Sequence, residues 1–408
     1  MHTTTNHKTK IKISDRAKNC SGSAIANLRE EVGALLSQGI RILDLSSGDF
    51  DPRIEYPGFK QRLHETVDSD YQKYPHKQGI LELRANIRDL LIKEGFTGLT
   101  IDDICITNGG IQALFNIAFI LPDSAVIIPT PFWGPAYNHN RAFNKVILHT
   151  HLDKDHQLDL DNINSLLSHN DTSAIYVNSP HNPTGSVFSR KSLEELVAIA
   201  AKHDTPLIYD EAYHGLVYDD EVNFSPSEFL DLRNSFLVRS FSKSHSLSGY
   251  RLGYVVSRNR EYMRYLSEIQ LNATSGVNSP TQKALAHIDL EGGIPKVREH
   301  YKRKRDILMG LNKVNGFNID RAPKGAIYLW TQVDIPHGLT IHERDTYGFN
   351  LLKSLEVPVI GVPGYHFAPP DCKLYSNYIR LTFSIVPPEE LQQVVDMASK
   401  KFGLKSNQ

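Results

Sequence analysis

The strongest constraint on the fold is a rhythm. Ala125-Val126-Ile127-Ile128, Val146-Ile147-Leu148, Ala174-Ile175-Tyr176-Val177 and Leu207-Ile208-Tyr209 are short, near-continuous apolar runs, and a helical stretch around Leu193-Glu194-Glu195-Leu196-Val197 separates the last two. Strands that are apolar on both sides belong in a mostly parallel sheet covered by helices on each face. The spacing therefore predicts an α/β architecture, and 408 residues give length for one large and one smaller domain. Further on, Ser279-Pro280-Thr281-Gln282 reads as a helix cap with proline at the first helical position. A long polar helix through Lys296 to Leu311 follows, linking the domains, and its many Lys and Arg residues read as a solvated face. Tyr328-Leu329-Trp330 and Ile379 to Phe383 supply strands for the smaller domain. No repeat or low-complexity block interrupts the pattern.

Composition removes several function classes. A net charge of −1 offers no field for nucleic acid or an anionic membrane surface. No apolar run approaches the ~20 residues of a membrane span, and the polar start through Lys8, Lys10 and Lys12 lacks the apolar core of a signal peptide. Cys20, Cys105 and Cys372 are few and far apart, which predicts a reducing, cytoplasmic setting without a disulfide framework. His149, His151 and His156 have no cysteine or paired acid to complete a metal site, so no metal is expected.

The chemistry concentrates in Ser240-Phe241-Ser242-Lys243, followed by Leu247, Gly249, Arg251 and Gly253 and bracketed by Phe236-Leu237-Val238 and Tyr254-Val255-Val256. A lysine amine attacks aldehydes only when deprotonated, and a buried, cation-flanked setting lowers its pKa far enough. Hydroxyls and an arginine around it suit a phosphate dianion. An aldehyde that also carries a phosphate is pyridoxal 5′-phosphate (PLP).

Other segments gain meaning beside this one. Asn182-Pro183-Thr184-Gly185 alone is a turn. Asp210-Glu211-Ala212-Tyr213 puts a carboxylate at the C-terminal end of a strand, where open α/β sheets hold ligands. Thr107-Asn108-Gly109-Gly110-Ile111-Gln112 joins a short strand to a helix through small residues, which exposes backbone N–H groups at a positive helix end. Trp133, after Phe132, reads either as a stacking ring or as core filler. Arg380 interrupts the alternating strand Asn377-Tyr378-Ile379-Arg380-Leu381-Thr382-Phe383 on a face expected to be packed, which calls for an anionic partner.

Together these segments resemble, in order and spacing, the class I/II aminotransferases of PLP fold type I, the aspartate aminotransferase superfamily. Ser240 stands three residues before Lys243 and Arg251 eight after it, as in that family. The similarity spans roughly residues 25 to 400 and implies a mostly parallel seven-stranded sheet between helices in a large domain, plus a smaller α/β domain. The implied division is an arm over 1–20, a discontinuous small domain of 21–50 and 300–408, and a large PLP-binding domain of 51–299.

The resemblance also implies roles. Lys243 would carry the cofactor as an aldimine, Asp210 would pair with its ring nitrogen, and Tyr213 and Asn182 would share its 3′ oxygen. Ser240, Ser242, Arg251, Gly109 and the N–H groups of Gly110 and Ile111 would hold the phosphate, with Trp133 on the ring. Arg380, Gly48 and Asn182 would bind the substrate. Tyr74, five residues before Gly79, would cross a homodimer interface to the neighbouring phosphate. The implied activity is amino-group transfer between an L-amino acid and a 2-oxo acid. Lyase, synthase or cyclase chemistry, on a substrate such as a hydroxylated arginine, would use the same residues. A non-catalytic PLP-binding regulator of the same fold is the remote alternative.

One segment departs from the family pattern. The usual Gly-Glu-Pro-Asp-Phe is Gly48-Asp49-Phe50-Asp51-Pro52, with Phe50 where proline is expected. Asp49 and Asp51 read as solvated loop acids or as acids that greet a cationic substrate side chain.

Overall fold

A computed structural model of the chain describes residues 13–20, 24–67, 73–218 and 224–406. Seven strands form the central sheet, namely β1 (Ile104–Thr107), β2 (Ala125–Thr130), β3 (Ile147–His151), β4 (Thr172–Asn178), β5 (Leu207–Glu211), β6 (Ser235–Ser240) and β7 (Gly253–Val256). Their order is β1-β7-β6-β5-β4-β2-β3. Strands β6, β5, β4, β2 and β3 pair in parallel, while β7 runs antiparallel between β6 and β1. The mostly parallel sheet expected from the apolar runs is present.

Alternation along each strand divides its side chains between two cores. Ile127, Ile175, Leu207 and Leu237 enter one, with Leu83, Ile87, Leu193 and Leu196 from covering helices. Val126, Ile128, Ala174, Ile208, Phe236 and Val238 enter the other, against Ala113, Leu114 and Ile117 of the helix Gly110–Ile120. Each Val, Leu, Ile or Phe among them contributes about 1.5–3 kcal/mol on burial, and a one-residue slip of any central strand would exchange its two faces between the two cores. Strand β3, at the edge, is only half-buried and carries His149 and His151.

A third core unites the two ends of the chain. Leu43 and Leu45 join Val297, Tyr301 and Leu308, Tyr328 and Trp330, Ile379 and Leu381, and Val394. Here Leu43–Asp44 pairs in parallel with Val359–Ile360, and Tyr328–Val333 lies antiparallel between Tyr378–Thr382 and Phe317–Asn318. The N-terminal segment is thereby fastened to the C-terminal part of the chain.

Four local expectations need correction or bounds. The helix over Ile294–Leu308 does not place all its charges in solvent, because Lys304 and Arg305 are buried with Val297 and Tyr301 on its inward face. Lys304 Nζ donates to Asp51 Oδ2 at 2.8 Å and to the Ser384 carbonyl. Asp51 is correspondingly no solvated acid; it is fully buried and also accepts from Arg53 Nε at 2.7 Å and His300 Nε2 at 2.8 Å. Asn278, one residue earlier than expected, caps the helix Ser279–Ala286 by accepting from the Thr281 N–H at 3.0 Å. Of the arm expected over 1–20, residues 1–12 lie outside the described residues, and Asp15–Asn19 form a short helix. Among the described residues no helix is long and apolar enough to cross a membrane.

Candidate active site

Parallel pairing brings the C-terminal ends of β4, β5 and β6 side by side, with Asn178 opposite Asp210 and Glu211 opposite Arg239. Their ends, the start of the helix Gly110–Ile120 and the Gly48 segment enclose a cavity of about 360 Å³. Such a crevice at strand C-termini is the expected ligand position of an open α/β sheet.

Lys243 follows β6 and projects into this cavity, where its Nζ donates to the Gly48 carbonyl. Burial lowers its amine to about 8; Asp49 opposes the fall, and the positive charges of Arg251 and Arg380 add to it. Asp210, 2% exposed, accepts from Tyr176 Oη at 2.7 Å and from the Ala212 N–H at 3.0 Å. Burial raises its carboxyl to about 6 despite those two bonds. A buried acid poised this way gains from a cationic neighbour, which would restore its charge.

Across the cavity, Tyr213 and Tyr328 join their hydroxyls at 2.6 Å, and Asn182 Nδ2 lies 3.4 Å from each. Burial drives both phenols upward, so both stay protonated as hydrogen-bond donors near neutrality. Arg380, 1% exposed, donates to Asn182 Oδ1 at 3.0 Å and to the Ser46 carbonyl at 2.6 Å. Its guanidinium lies 4.4 Å from the Tyr328 ring centroid and 4.9 Å from that of Phe367. Its Nε is buried without a hydrogen-bond partner, and no carboxylate pairs with it among the described residues. Burial lowers its pKa. A buried guanidinium left this way is a receptor for a carboxylate.

Hydroxyls, an arginine and a helix start, the groups that suit a phosphate dianion, also meet in this cavity. Ser240 Oγ and Ser242 Oγ lie 2.9 Å apart, beside Arg251 and the first residues of the helix Gly110–Ile120. Arg251 is in the left-handed region at φ 57° and is steadied by a 2.7 Å bond to the Ser248 carbonyl. Gly109, at φ 78°, lies so close that a Cβ there would come within 2.6 Å of the Arg251 guanidinium. Only glycine suits both that backbone angle and that approach.

Gly48, Gly110, Ile111, Trp133, Asn182, Asp210, Tyr213, Ser240, Ser242, Lys243, Arg251 and Arg380 therefore all line one cavity. Gly109 instead seats Arg251 from behind, and Tyr74 does not line the cavity but stands 89% exposed. Sequence reasoning missed Tyr328, Tyr176 and Asn178 as polar members of the site. Asn178 carried a usable signal, since it ends β4 as Asp210 nearly ends β5. Tyr328 carried none beyond its strand, because its partners are 115 and 146 residues away. Among the described residues no group of His, Cys, Asp and Glu is gathered that could hold a metal ion.

Residues 40–397 match the aminotransferase class I and II family. The chain is 29% identical over 403 residues to the aspartate aminotransferase of Thermotoga maritima, covering 94% of this chain and 97% of that protein. It is 28% identical to aromatic-amino-acid aminotransferase 2 of Thermococcus litoralis, covering 95% of this chain and 97% of that one. The structure of Thermus thermophilus aspartate aminotransferase with maleate superposes with a TM-score of 0.83 at 25% identity, covering 95% of this chain and 99% of that chain. The family's cofactor, PLP, suits the groups present: an anion cradle with paired hydroxyls and an arginine, a buried acid, an amine lowered to about 8 and an unpartnered guanidinium. The chain belongs to the aminotransferase class I and II family and is a PLP-dependent aminotransferase.

Proposed function

We propose that this cavity moves the α-amino group of an L-amino acid to a 2-oxo acid through the following division of labour. When bound, PLP supplies the carbonyl that takes up the amino group and an electron sink for charge developing at Cα. Ser240, Ser242, Arg251 and the N–H groups of Gly110 and Ile111 would hold its phosphate, with Gly109 seating the arginine. Asp210 would keep a proton on its ring nitrogen, Tyr213 and Asn182 would serve its 3′ oxygen, and Trp133 would lie against the ring.

Arg380 carries the reading of the substrate. Its free Nε and its placement with Asn182 in the cavity that holds Lys243 support a clamp on the α-carboxylate. Held there, a substrate presents its Cα–H to Lys243, whose Nζ takes the proton as general base and returns it as general acid. The Gly48 carbonyl orients that amine. A homodimer, in which Tyr74 reaches the neighbouring phosphate, completes the reading, and the exposure of Tyr74 supports it. The chain division into a 21–50 plus 300–408 domain and a 51–299 domain is supported by the separate cores on either side of the cavity. The unpaired Cys20, Cys105 and Cys372 support a cytoplasmic location.

The deciding experiment is Lys243→Ala supplied with PLP, an amino acid and a 2-oxo acid. Turnover should vanish while PLP is retained non-covalently; turnover near the parent's rate would refute the role given to Lys243.

A further inference from the structure

The cavity has a charge inventory that bears on which amino acids enter it, and the inference rests on the reading above. Its lining cations among the described residues are Lys243, Arg251 and Arg380. The first moves the proton, the second faces the phosphate, and the third takes the α-carboxylate. The walls left for a substrate side chain include Asp49, Ile111, Leu114 and Tyr328, none of them cationic. Asp49 Oδ1 accepts from the Ser248 hydroxyl and from the Phe50 N–H at 2.8 Å, whereas its Oδ2 accepts no hydrogen bond among the described residues. Its charge reaches into the cavity, opposing the fall of the Lys243 pKa and adding to the rise at Tyr328.

A distal carboxylate brought into this space would lose hydration beside an acid of like charge, and among the described residues of this chain no further cation lines the space to receive it. A neutral side chain would lose no charge hydration and would gain contact with Ile111, Leu114 and the Tyr328 ring. We propose that the cavity selects monocarboxylic L-amino acids and their 2-oxo acids over dicarboxylic ones, and that Asp49 is the discriminating residue. The preference sets this chain apart from the relatives named aspartate aminotransferases.

Two measurements test it on the PLP-loaded protein. Calorimetric titration with maleate and with 3-methylbutanoate should give maleate no advantage, and Asp49→Asn should shift the ratio of the two affinities towards maleate by about tenfold. In parallel, kcat/KM for leucine should exceed that for aspartate, and the same variant should narrow the gap. Tighter binding of maleate by the parent, or aspartate ahead of leucine, would overturn the selectivity while leaving amino-group transfer intact. An unchanged ratio in Asp49→Asn would overturn the role of Asp49. Failure of every carboxylate to bind and of every amino acid to react would remove the underlying reading, and this inference with it.

Discussion

Lys243, Asp210 and Arg380 share one physical device, an ionisable group taken out of water and given incomplete compensation. For Lys243 the consequence is a neutral amine at moderately alkaline pH, because its pKa falls to about 8. Fixation of PLP to Lys243 by borohydride, followed by mass spectrometry of the peptide, should therefore increase as pH rises through about 8. A yield still climbing only near the ordinary lysine pKa of ~10.4 would show that burial does not act on this amine. If Arg380 binds the α-carboxylate, Arg380→Ala removes a desolvated, charge-assisted clamp worth about 3–5 kcal/mol. Amino acids should lose that much apparent affinity, while simple amines without a carboxylate lose little, and equal losses for both would contradict the clamp. At this scale the sequence was informative about residue types at fixed local offsets, such as Ser240, Lys243 and Arg251. It was silent about Tyr328, whose importance comes only from contacts with Tyr213 and Asn182.

Between elements, the segment carrying Gly48 and Asp49 is tied down two residues later by Asp51. Burial raises the carboxyl of Asp51, but hydrogen bonds from His300, Arg53 and Lys304 outweigh it and hold the group well below the usual carboxylate range. The carboxylate joins the N-terminal segment to the helix Ile294–Leu308 and, through Lys304, to the Ser384 carbonyl. Asp51→Asn leaves Lys304 buried beside a neutral amide and should cost about 3–5 kcal/mol of stability near neutral pH. Because the folded pKa is depressed, the contribution of Asp51 is fully present above its unfolded value of ~3.9, shrinks progressively below it, and is lost as pH falls through the much lower folded value. The gap between the urea unfolding midpoints of parent and variant should thus begin to narrow below about pH 4; a constant gap down to pH 3 would show that Asp51 is not the group responsible. A second network, Arg239 Nε to Glu211 at 2.6 Å and its Nη atoms to Glu94 at 2.8 and 2.7 Å, crosslinks β5 and β6 behind Asp210 and Ser240. The strands were legible in the sequence because their apolar runs are local. The Asp51 and Arg239 networks were not, since charge in a sequence looks the same whether it meets water or a distant partner.

For the whole molecule, the proposed homodimer makes a prediction that no single chain can satisfy. Tyr74→Phe should weaken PLP retention if the phenol contacts the phosphate of a neighbouring subunit. In mixed dimers of Lys243→Ala and Tyr74→Phe subunits, the subunit that keeps Lys243 receives an intact Tyr74 from its partner. Its PLP affinity, read by dialysis against a fluorescence signal, should return to the parent level. Affinity no better than that of the Tyr74→Phe homodimer would mean that the tyrosine does not act across an interface.

The sequence by itself determined the βα rhythm, the strand ends that face the cavity and most of the residues that line it. Those follow from hydrophobic period and local spacing, which act over a few residues. Only the tertiary structure decided which acids are buried, since Asp51 is enclosed by three basic side chains while Asp49, two residues earlier, stays open to the cavity. It also decided that Arg380 lies between Tyr328 and Phe367 with its Nε unpartnered, and that Tyr213 shares its hydroxyl with Tyr328. Burial and partnership depend on segments hundreds of residues apart meeting in space, and no local pattern in the chain encodes that meeting.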